Sequence, residues 1–358
     1  MSRTLMIMAG GTGGHIYPAI SVADYLREKG WHIVWLGSQA GLEARIVPPK
    51  GYAMAWIRFS GLRNKGLLRA LMLPINLLIA CGQSAAAIFT HRPDVVLGMG
   101  GYVAFPGGLM ASLMQRPLVI HEQNSVAGLT NRVLARFSDR VLTAFPNAFK
   151  NNRLSQWVGN PTRADITGVD APGTRYAPRR GRLNVMILGG SQGAAVLNDT
   201  LPRALALMPE AQRPQVTHQS GAAHIDALRA AYAAAGVQAE ALPFIENMAV
   251  RYATADLVIC RAGASTVTEI AAVGVASILV PLPWAVDDHQ TTNARYLADR
   301  GAAILIPQAQ FSPEKVAGLL QDFTRGKLLE MARAARTAAK PDATRVVGDI
   351  CMELAHAA

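Results

Sequence analysis

The sequence is poor in the features that most quickly commit a chain to one chemistry. It has only three cysteines, Cys81, Cys260 and Cys351, far apart and with no CxxC pair. That spacing argues against a disulfide framework or a zinc site and leaves three small apolar side chains in a reducing compartment. Charged residues make up only 16% of the chain. The formal net charge is +11, yet the lysines and arginines are scattered, with no long basic run and little aromatic interleaving. A positive balance asks for an anionic partner, and this distribution places nucleic acid behind an anionic membrane or a phosphate-bearing substrate. No GxxxxGK[ST] segment occurs, which removes the P-loop enzymes. Leu5 to Ala9 is too short for the apolar core of a secretion signal. The most apolar stretch, Leu67 to Ala80, is interrupted by Arg69, Pro74 and Asn76, short of the roughly 20 residues that span a bilayer. The expectation is a cytoplasmic chain that does not cross the membrane.

What is present is length and alternation. At 358 residues and 51% hydrophobic, the chain exceeds one comfortable core, so two domains are expected. Apolar runs at Leu5–Ala9, His32–Leu36, Met54–Ile57, Val95–Leu97, Leu118–His121 and Val141–Thr143 read as strands, with helical spacing between them. Glycines and prolines punctuate residues 159–182, which reads as a linker. A second cycle opens at Asn184–Leu188 and continues near Gln215–His218, Ala239–Leu242, Leu257–Cys260, Ser277–Val280 and Ala303–Ile306. Continuous apolar strands joined by helices imply parallel sheets covered on both faces. The expected architecture is α/β: two doubly wound, Rossmann-like domains with a cleft between them. Their spans are 1–160 and 161–340, with a last helix, 341–358, packing back on the first.

Three glycine-rich breaks follow strands: Gly10-Gly11-Thr12-Gly13-Gly14-His15, Gly98-Met99-Gly100-Gly101-Tyr102 and Gly189-Gly190-Ser191-Gln192-Gly193. The dinucleotide fingerprint fails at the first, because Ile16 stands where glycine or alanine is needed and Leu36-Gly37-Ser38 offers no acid. It fails at the third because Ser191 interrupts GxG. These remain anion-binding helix starts. The richest segment is 261–293, where Leu257–Cys260 runs into Arg261-Ala262-Gly263-Ala264 and a helix carrying Glu269. Ser277–Val280 then ends at Pro281, ahead of Asp287-Asp288-His289-Gln290. Small residues, a helix N-terminus, an acid and an amide suit a nucleotide-linked sugar. Two adjacent acids differ from the spaced DxD of metal-dependent enzymes, so no metal and no cofactor is expected.

GGTGGH at 10–15, GGY at 100–102, HEQNSVAG at 121–128, GNPTR at 159–163, GGSQGA at 189–194, RAGASTVTE at 261–269 and DDHQTTNA at 287–294 stand in one order along nearly the whole chain. This ordered set closely resembles the MurG family. The resemblance implies the GT-B glycosyltransferase fold and inverting transfer of N-acetylglucosamine from UDP-N-acetylglucosamine to lipid I, forming lipid II in peptidoglycan synthesis. It also implies a peripheral place on the cytoplasmic face of the cell membrane, among other cell-wall synthesis proteins. Residue by residue it implies Glu269 on the ribose hydroxyls, Ala264 and Gln290 on sugar hydroxyls, and Ile245 beside the uracil. Ser191 and Arg163 fall near the diphosphate, and Asn124 near the sugar ring. Thr12, Gly13, Gly14, Ser265, Thr266, Val267 and Thr268 complete the donor set, and Gly101 and Tyr102 face the acceptor diphosphate. The alternative for Glu269 is a capping box with Thr266.

His15 is the first choice of base, since imidazole titrates near neutral pH and can take the proton of the attacking hydroxyl. Glu122 is the rival base or an orienting partner. Residues 56–79 alternate apolar side chains with Arg58, Arg63, Lys65 and Arg69, which suits docking on anionic headgroups. The basic cluster with Leu62, Leu67 and Leu68 is the expected exposed part, and Leu77 to Ile79 the part expected to pack on the sheet if the segment is structural. Two other functions compete: a sugar-nucleotide epimerase of the same fold and, remotely, a basic nucleic-acid-binding protein.

Overall fold

The computed structural model describes residues 3–59, 72–149, 155–190 and 193–357. The chain forms two compact units, Met1–Arg163 with Lys340–Ala358, and Ala164–Ala339.

In the first unit, β1 (Thr4–Met8), β2 (His32–Gly37), β3 (Ala53–Trp56), β4 (Val95–Gly98), β5 (Leu118–Glu122), β6 (Arg140–Thr143) and β7 (Ser155–Trp157) form a parallel sheet. Among the described residues its order is β3-β2-β1-β4-β5-β6-β7. Successive side chains of β1 feed different cores. Leu5 and Ile7 pack with Ile16 and Ile20 of the helix Gly13–Glu28, while Met6 and Met8 pack with Ile88 and Val103 on the other face. Burial on both faces is why these strands read as unbroken apolar runs. β7 has no such run: Ser155-Gln156-Trp157 is a polar edge strand, and nothing in its pattern announces it. The terminal helix Ala343–Ala357 buries Val347, Cys351 and Ala355, one turn apart, in the same core as the helix Gly13–Glu28. The Tyr25 hydroxyl also donates to Asp349 Oδ1 at 2.7 Å.

The apolar stretch continues past Ala80 as the helix Leu73–His91, which by length and composition alone could cross a bilayer. Pro74 sits in its first turn, where the missing N–H costs nothing, so it starts the helix rather than breaking it. Ala80, Ser84 and Ile88 are buried, and Ile88 belongs to the first unit's core, so the helix covers the sheet.

In the second unit, β8 (Asn184–Leu188), β9 (Gln215–Gln219), β10 (Glu240–Leu242), β11 (Leu257–Cys260), β12 (Ala276–Leu279) and β13 (Ala303–Leu305) form a parallel sheet. Among the described residues its order is β10-β9-β8-β11-β12-β13. Residues 164–182, expected as linker, hold the helices Ala164–Thr167 and Pro172–Tyr176 and belong to this unit. Their glycines and prolines hide the pattern, but Tyr176 is buried and Arg175 donates to the Ala253, Val273 and Gly274 carbonyls. The cysteines are free thiols, Cys81 half-buried and the others buried. Burial raises all three thiol pKa values, which makes poor nucleophiles of them.

Candidate active site

In each sheet the strand order reverses at the first strand, between β1 and β4 and between β8 and β11. Loops beyond the carboxyl ends of such pairs diverge and leave a crevice. The glycine-rich segments fall at these two places.

Beyond β8 and β11 lies a cavity of about 420 Å³ whose walls include Gly189, Gly190, Gly193, Arg261, Gly263, Thr266, Trp284 and Gln290. The helix Ala195–Ala206 begins on it with N-cap Ala194, and the helix Ala264–Val273 begins on it with N-cap Gly263. Neither N-cap side chain accepts from the helix; Leu197 already donates to the Ala194 carbonyl, and the amides at the very start of each first turn are the donors an anion can take. Gly193 has φ +78°, and a Cβ there would meet the Ser220 carbonyl, so the turn tolerates no larger residue. Arg261 donates to the Val280 and Pro281 carbonyls at 3.1 Å and to Gln308 Oε1 at 2.7 Å, tying three loops of the wall together.

The helix Ala264–Val273 bears on the capping-box reading of Glu269. Its N-cap is Gly263, so Glu269 stands in the second turn, beyond the position a capping box uses. Tyr252, fully buried, donates its hydroxyl to Glu269 Oε2 at 3.1 Å and fixes the carboxylate. The Thr268 hydroxyl is turned back to the Ala264 and Ser265 carbonyls, and Val267 is buried in the core. Ser265 Oγ is buried without a hydrogen-bond partner among the described residues. Gln290 lies in the first turn of the helix His289–Ala298, after Asp287 and Asp288, whose φ of 51° and 49° place both in the left-handed region. Its Oε1 accepts from the Leu282 amide at 3.0 Å, which makes the Nε2 end its donor on the cavity wall. Ile245 is buried, and its amide donates to Gln219 Oε1 at 3.0 Å while Gln219 Nε2 donates to the Gly190 carbonyl at 2.9 Å. Ser191 lies outside the described residues.

The first unit's crevice is built differently. Gly101 has φ +83°, and a Cβ on it would meet the Gly10 carbonyl oxygen at 2.3 Å, so the two loops touch backbone to backbone. The Tyr102 ring covers Gly11, and its phenol pKa is raised by burial and then by the Glu43 carboxylate. Glu43, buried, accepts from the Gly11 and Ser38 amides at 3.2 and 3.0 Å and pins the loop. Thr12 is the N-cap of the helix Gly13–Glu28 and makes no side-chain cap bond. His15, in its first turn, donates from Nδ1 to Gln123 Oε1 at 2.9 Å. Glu122 is buried and turned into its own loop. Its Oε1 accepts from the Asn124 amide and Nδ2, and its Oε2 from the Gly128 amide and Asn131 Nδ2. Those donors make Glu122 the organiser of the segment carrying Asn124, and the geometry speaks against it as the base. Arg163 ends this unit, half-buried, beside Thr162, whose amide donates to Thr344 Oγ1.

Residues 5–143 match the glycosyltransferase family 28 N-terminal domain and residues 184–347 its C-terminal domain. The chain is 61% identical over 353 residues to a protein of Aromatoleum aromaticum, covering 99% of this chain and 98% of that one. It is 61% identical over 354 residues to one of Azoarcus sp., covering 99% of each. Both are named UDP-N-acetylglucosamine--N-acetylmuramyl-(pentapeptide) pyrophosphoryl-undecaprenol N-acetylglucosamine transferase. The crystal structure of Acinetobacter baumannii MurG superposes with a TM-score of 0.85 at 41% identity, covering 98% of this chain and 99% of that one.

The chain belongs to the MurG family.

A calicheamicin glycosyltransferase at 17% identity and TM-score 0.68 shares the GT-B fold alone. As a MurG-family member the chain is a glycosyltransferase. The glycine-rich motifs that carried the resemblance follow the strands at the two crevices, whereas GNPTR follows the edge strand β7, with Gly159 and Thr162 against Lys340 and Thr344. Thr266 and Gln290 line the second unit's cavity, and the first unit holds Thr12, Gly13, Gly14, His15, Gly101, Tyr102, Glu122, Asn124 and Arg163. Sequence reasoning missed Gln123, Gln219, Glu43 and Tyr252. A signal for Gln123 existed: three polar residues, His121-Glu122-Gln123, at the end of an apolar strand must satisfy one another if they stay buried.

Proposed function

We propose that the chain transfers N-acetylglucosamine, with inversion, from UDP-N-acetylglucosamine to the 4-hydroxyl of the muramoyl sugar of lipid I, yielding lipid II. The observation that carries the donor half is the second unit's cavity, on which two uncapped helix N-termini open beside Gln290. Helix dipoles and amides hold the leaving diphosphate, with Ser191 and Arg163 assigned there by the family pattern. Glu269 takes the ribose hydroxyls because it accepts two hydrogen bonds and Tyr252 already orients it. His15 Nε2 takes the proton of the attacking hydroxyl as the C1–phosphate oxygen bond breaks and UDP departs with the electron pair. Transfer runs without a divalent metal or other cofactor, because fixed donors carry the phosphate charge. Radiolabelled transfer to lipid I, with and without EDTA, tests this. Label should enter lipid in both; epimerised UDP-sugar without lipid product would favour the epimerase, and rescue of an EDTA-treated enzyme by magnesium would refute metal independence.

The acceptor is lipid-bound, and the proposed docking surface is the outer face of the helix Leu73–His91. Leu78 and Phe89 are 73% and 69% exposed, with Ile75 and Ile79 also outward, and no charged residue lies between Leu73 and Thr90. Leu78 and Ile79 thus do not pack on the sheet as the structural alternative for this segment required. The exposed Arg58 is tied to this helix by its amide, which donates to Gln83 Oε1 at 2.6 Å. Leu62, Arg63, Lys65, Leu67, Leu68 and Arg69 lie outside the described residues. An apolar face beside the basic Arg58 suits the cytoplasmic leaflet. Ile75→Ser with Leu78→Ser should reduce flotation with anionic vesicles while UDP binding persists; undiminished flotation would place the contact elsewhere.

A further inference from the structure

Resting on the reading of His15 as the base, we propose that Gln123 and His121 are positioning residues that hold His15 in the one neutral tautomer with a bare Nε2. The direction of this hydrogen-bond chain is set at its buried end. The Gly159 carbonyl can only accept, so His121 Nε2, 2.8 Å away, carries the hydrogen. A neutral ring protonated there has a bare Nδ1, and Gln123 Nε2 donates to it at 3.2 Å. The same NH2 group donates to the His121 carbonyl at 3.3 Å, so two acceptors fix which end of the amide is which. Oε1 therefore faces His15 and accepts from Nδ1 at 2.9 Å, leaving the lone pair of His15 on Nε2.

The surroundings keep this direction. His121 and Gln123 are 0% and 1% exposed, so bulk water does not compete for their bonds. Burial draws the His121 pKa down to about 4, so the ring is neutral at pH 7. Gly100, at φ +92°, lies against the His15 ring, and a Cβ there would stand 3.1 Å from its Cε1 and Nδ1. An amide suits the position better than a carboxylate. It donates on one side and accepts on the other without placing a charge in the core, whereas a carboxylate would accept from both rings. When His15 takes a proton at Nε2, its Nδ1–H bond to Gln123 persists and no partner has to turn.

The direct test is long-range ¹H–¹⁵N NMR of protein labelled at histidine nitrogen, with His15 assigned by loss of its signals in His15→Gln. Wild type should show His15 protonated at Nδ1 and bare at Nε2, and His121 the reverse. Gln123→Met should shift His15 toward the Nε2–H form and lower kcat by roughly tenfold or more, with the Kd for UDP unchanged. Gln123→Glu keeps the acceptor for His15. It should restore the tautomer and part of kcat, with the acid limb of the kcat profile moved to higher pH because the carboxylate favours the imidazolium. A His15 protonated at Nε2 in wild type overturns the proposal, as does a Gln123→Met enzyme with wild-type tautomer and kcat. The wild-type spectrum needs no variant to fold. Near-normal turnover in His15→Gln would instead overturn the base assignment, and is read separately from the tautomer.

Discussion

The two crevices share a topology and differ in what fills it. Both lie where strand order reverses, and both open on a glycine turn into a helix. In the first unit the two loops close on each other through Gly10 and Gly101, and the half-buried His15 with the buried Gln123 and His121 occupies the space behind them. In the second unit the loops part around a cavity bounded by helix starts and backbone. The first arrangement suits moving a proton and the second suits holding a charged ligand. A doubly wound sheet fixes where chemistry happens, and the residues on its loops decide which chemistry.

The largest effects should come from breaking the glycine contacts that define each crevice. Gly101→Ala and Gly193→Ala each combine a left-handed φ with a backbone clash, at the Gly10 and Ser220 carbonyls respectively. Each should cost roughly 3 kcal/mol or more in thermal or denaturant unfolding. Gly51→Ala, with similar φ but nothing within 4 Å, should cost only about 1 kcal/mol. Equal losses at all three would mean that φ alone, and not the loop contacts, sets the cost.

Acid should destabilise both units, each through one buried histidine. Burial lowers His121 to about 4 and His218 to about 3 from 6.5. Between those values and 6.5 the unfolded chain binds more protons than the folded one, so stability is full above about pH 6.5 and falls as pH drops toward the folded pKa. His121 accounts for a loss on the order of 3 kcal/mol by pH 4, and His218 for somewhat more. Denaturation at pH 7, 5.5 and 4.5 checks the slope, and His218→Met should flatten it for the second unit only. A stability independent of pH in this window would contradict neutral burial.

Smaller effects should separate the donor contacts. Glu269→Ala should weaken UDP binding by roughly ten- to a hundredfold in calorimetry, as expected for lost hydrogen bonds to a charged group. Unchanged affinity would remove the ribose role. Gln290→Glu keeps the acceptor for the Leu282 amide and removes the donor. It should leave UDP affinity nearly intact and relax discrimination among UDP-sugars by roughly tenfold; unaltered discrimination would exclude Gln290 from the sugar.

The strands could be read from sequence because burial on both faces makes them continuous and apolar, as at Leu5 to Met8. Ser155–Trp157 could not, since an edge strand needs no such run. Residues 159–182 read as linker because glycines and prolines punctuate them, yet 164–176 hold two short helices kept in place by Arg175 and Tyr176 contacts distant in sequence. The site was readable as motifs, but not as partnerships. Thr266 and Glu269 have capping-box spacing, and only the N-cap at Gly263 shows that the helix starts earlier. Gln123 reads as a loop amide until two histidines, one of them 108 residues away, are seen on either side of it.

The division of labour between the crevices is tested most directly by His15→Gln, with transfer to lipid I and UDP affinity measured on one preparation. The account expects kcat to fall by roughly a hundredfold or more with the Kd for UDP unchanged, the signature of a group that acts only in the transition state. Near-normal turnover, or a Kd for UDP that rises in step with the loss, would contradict it.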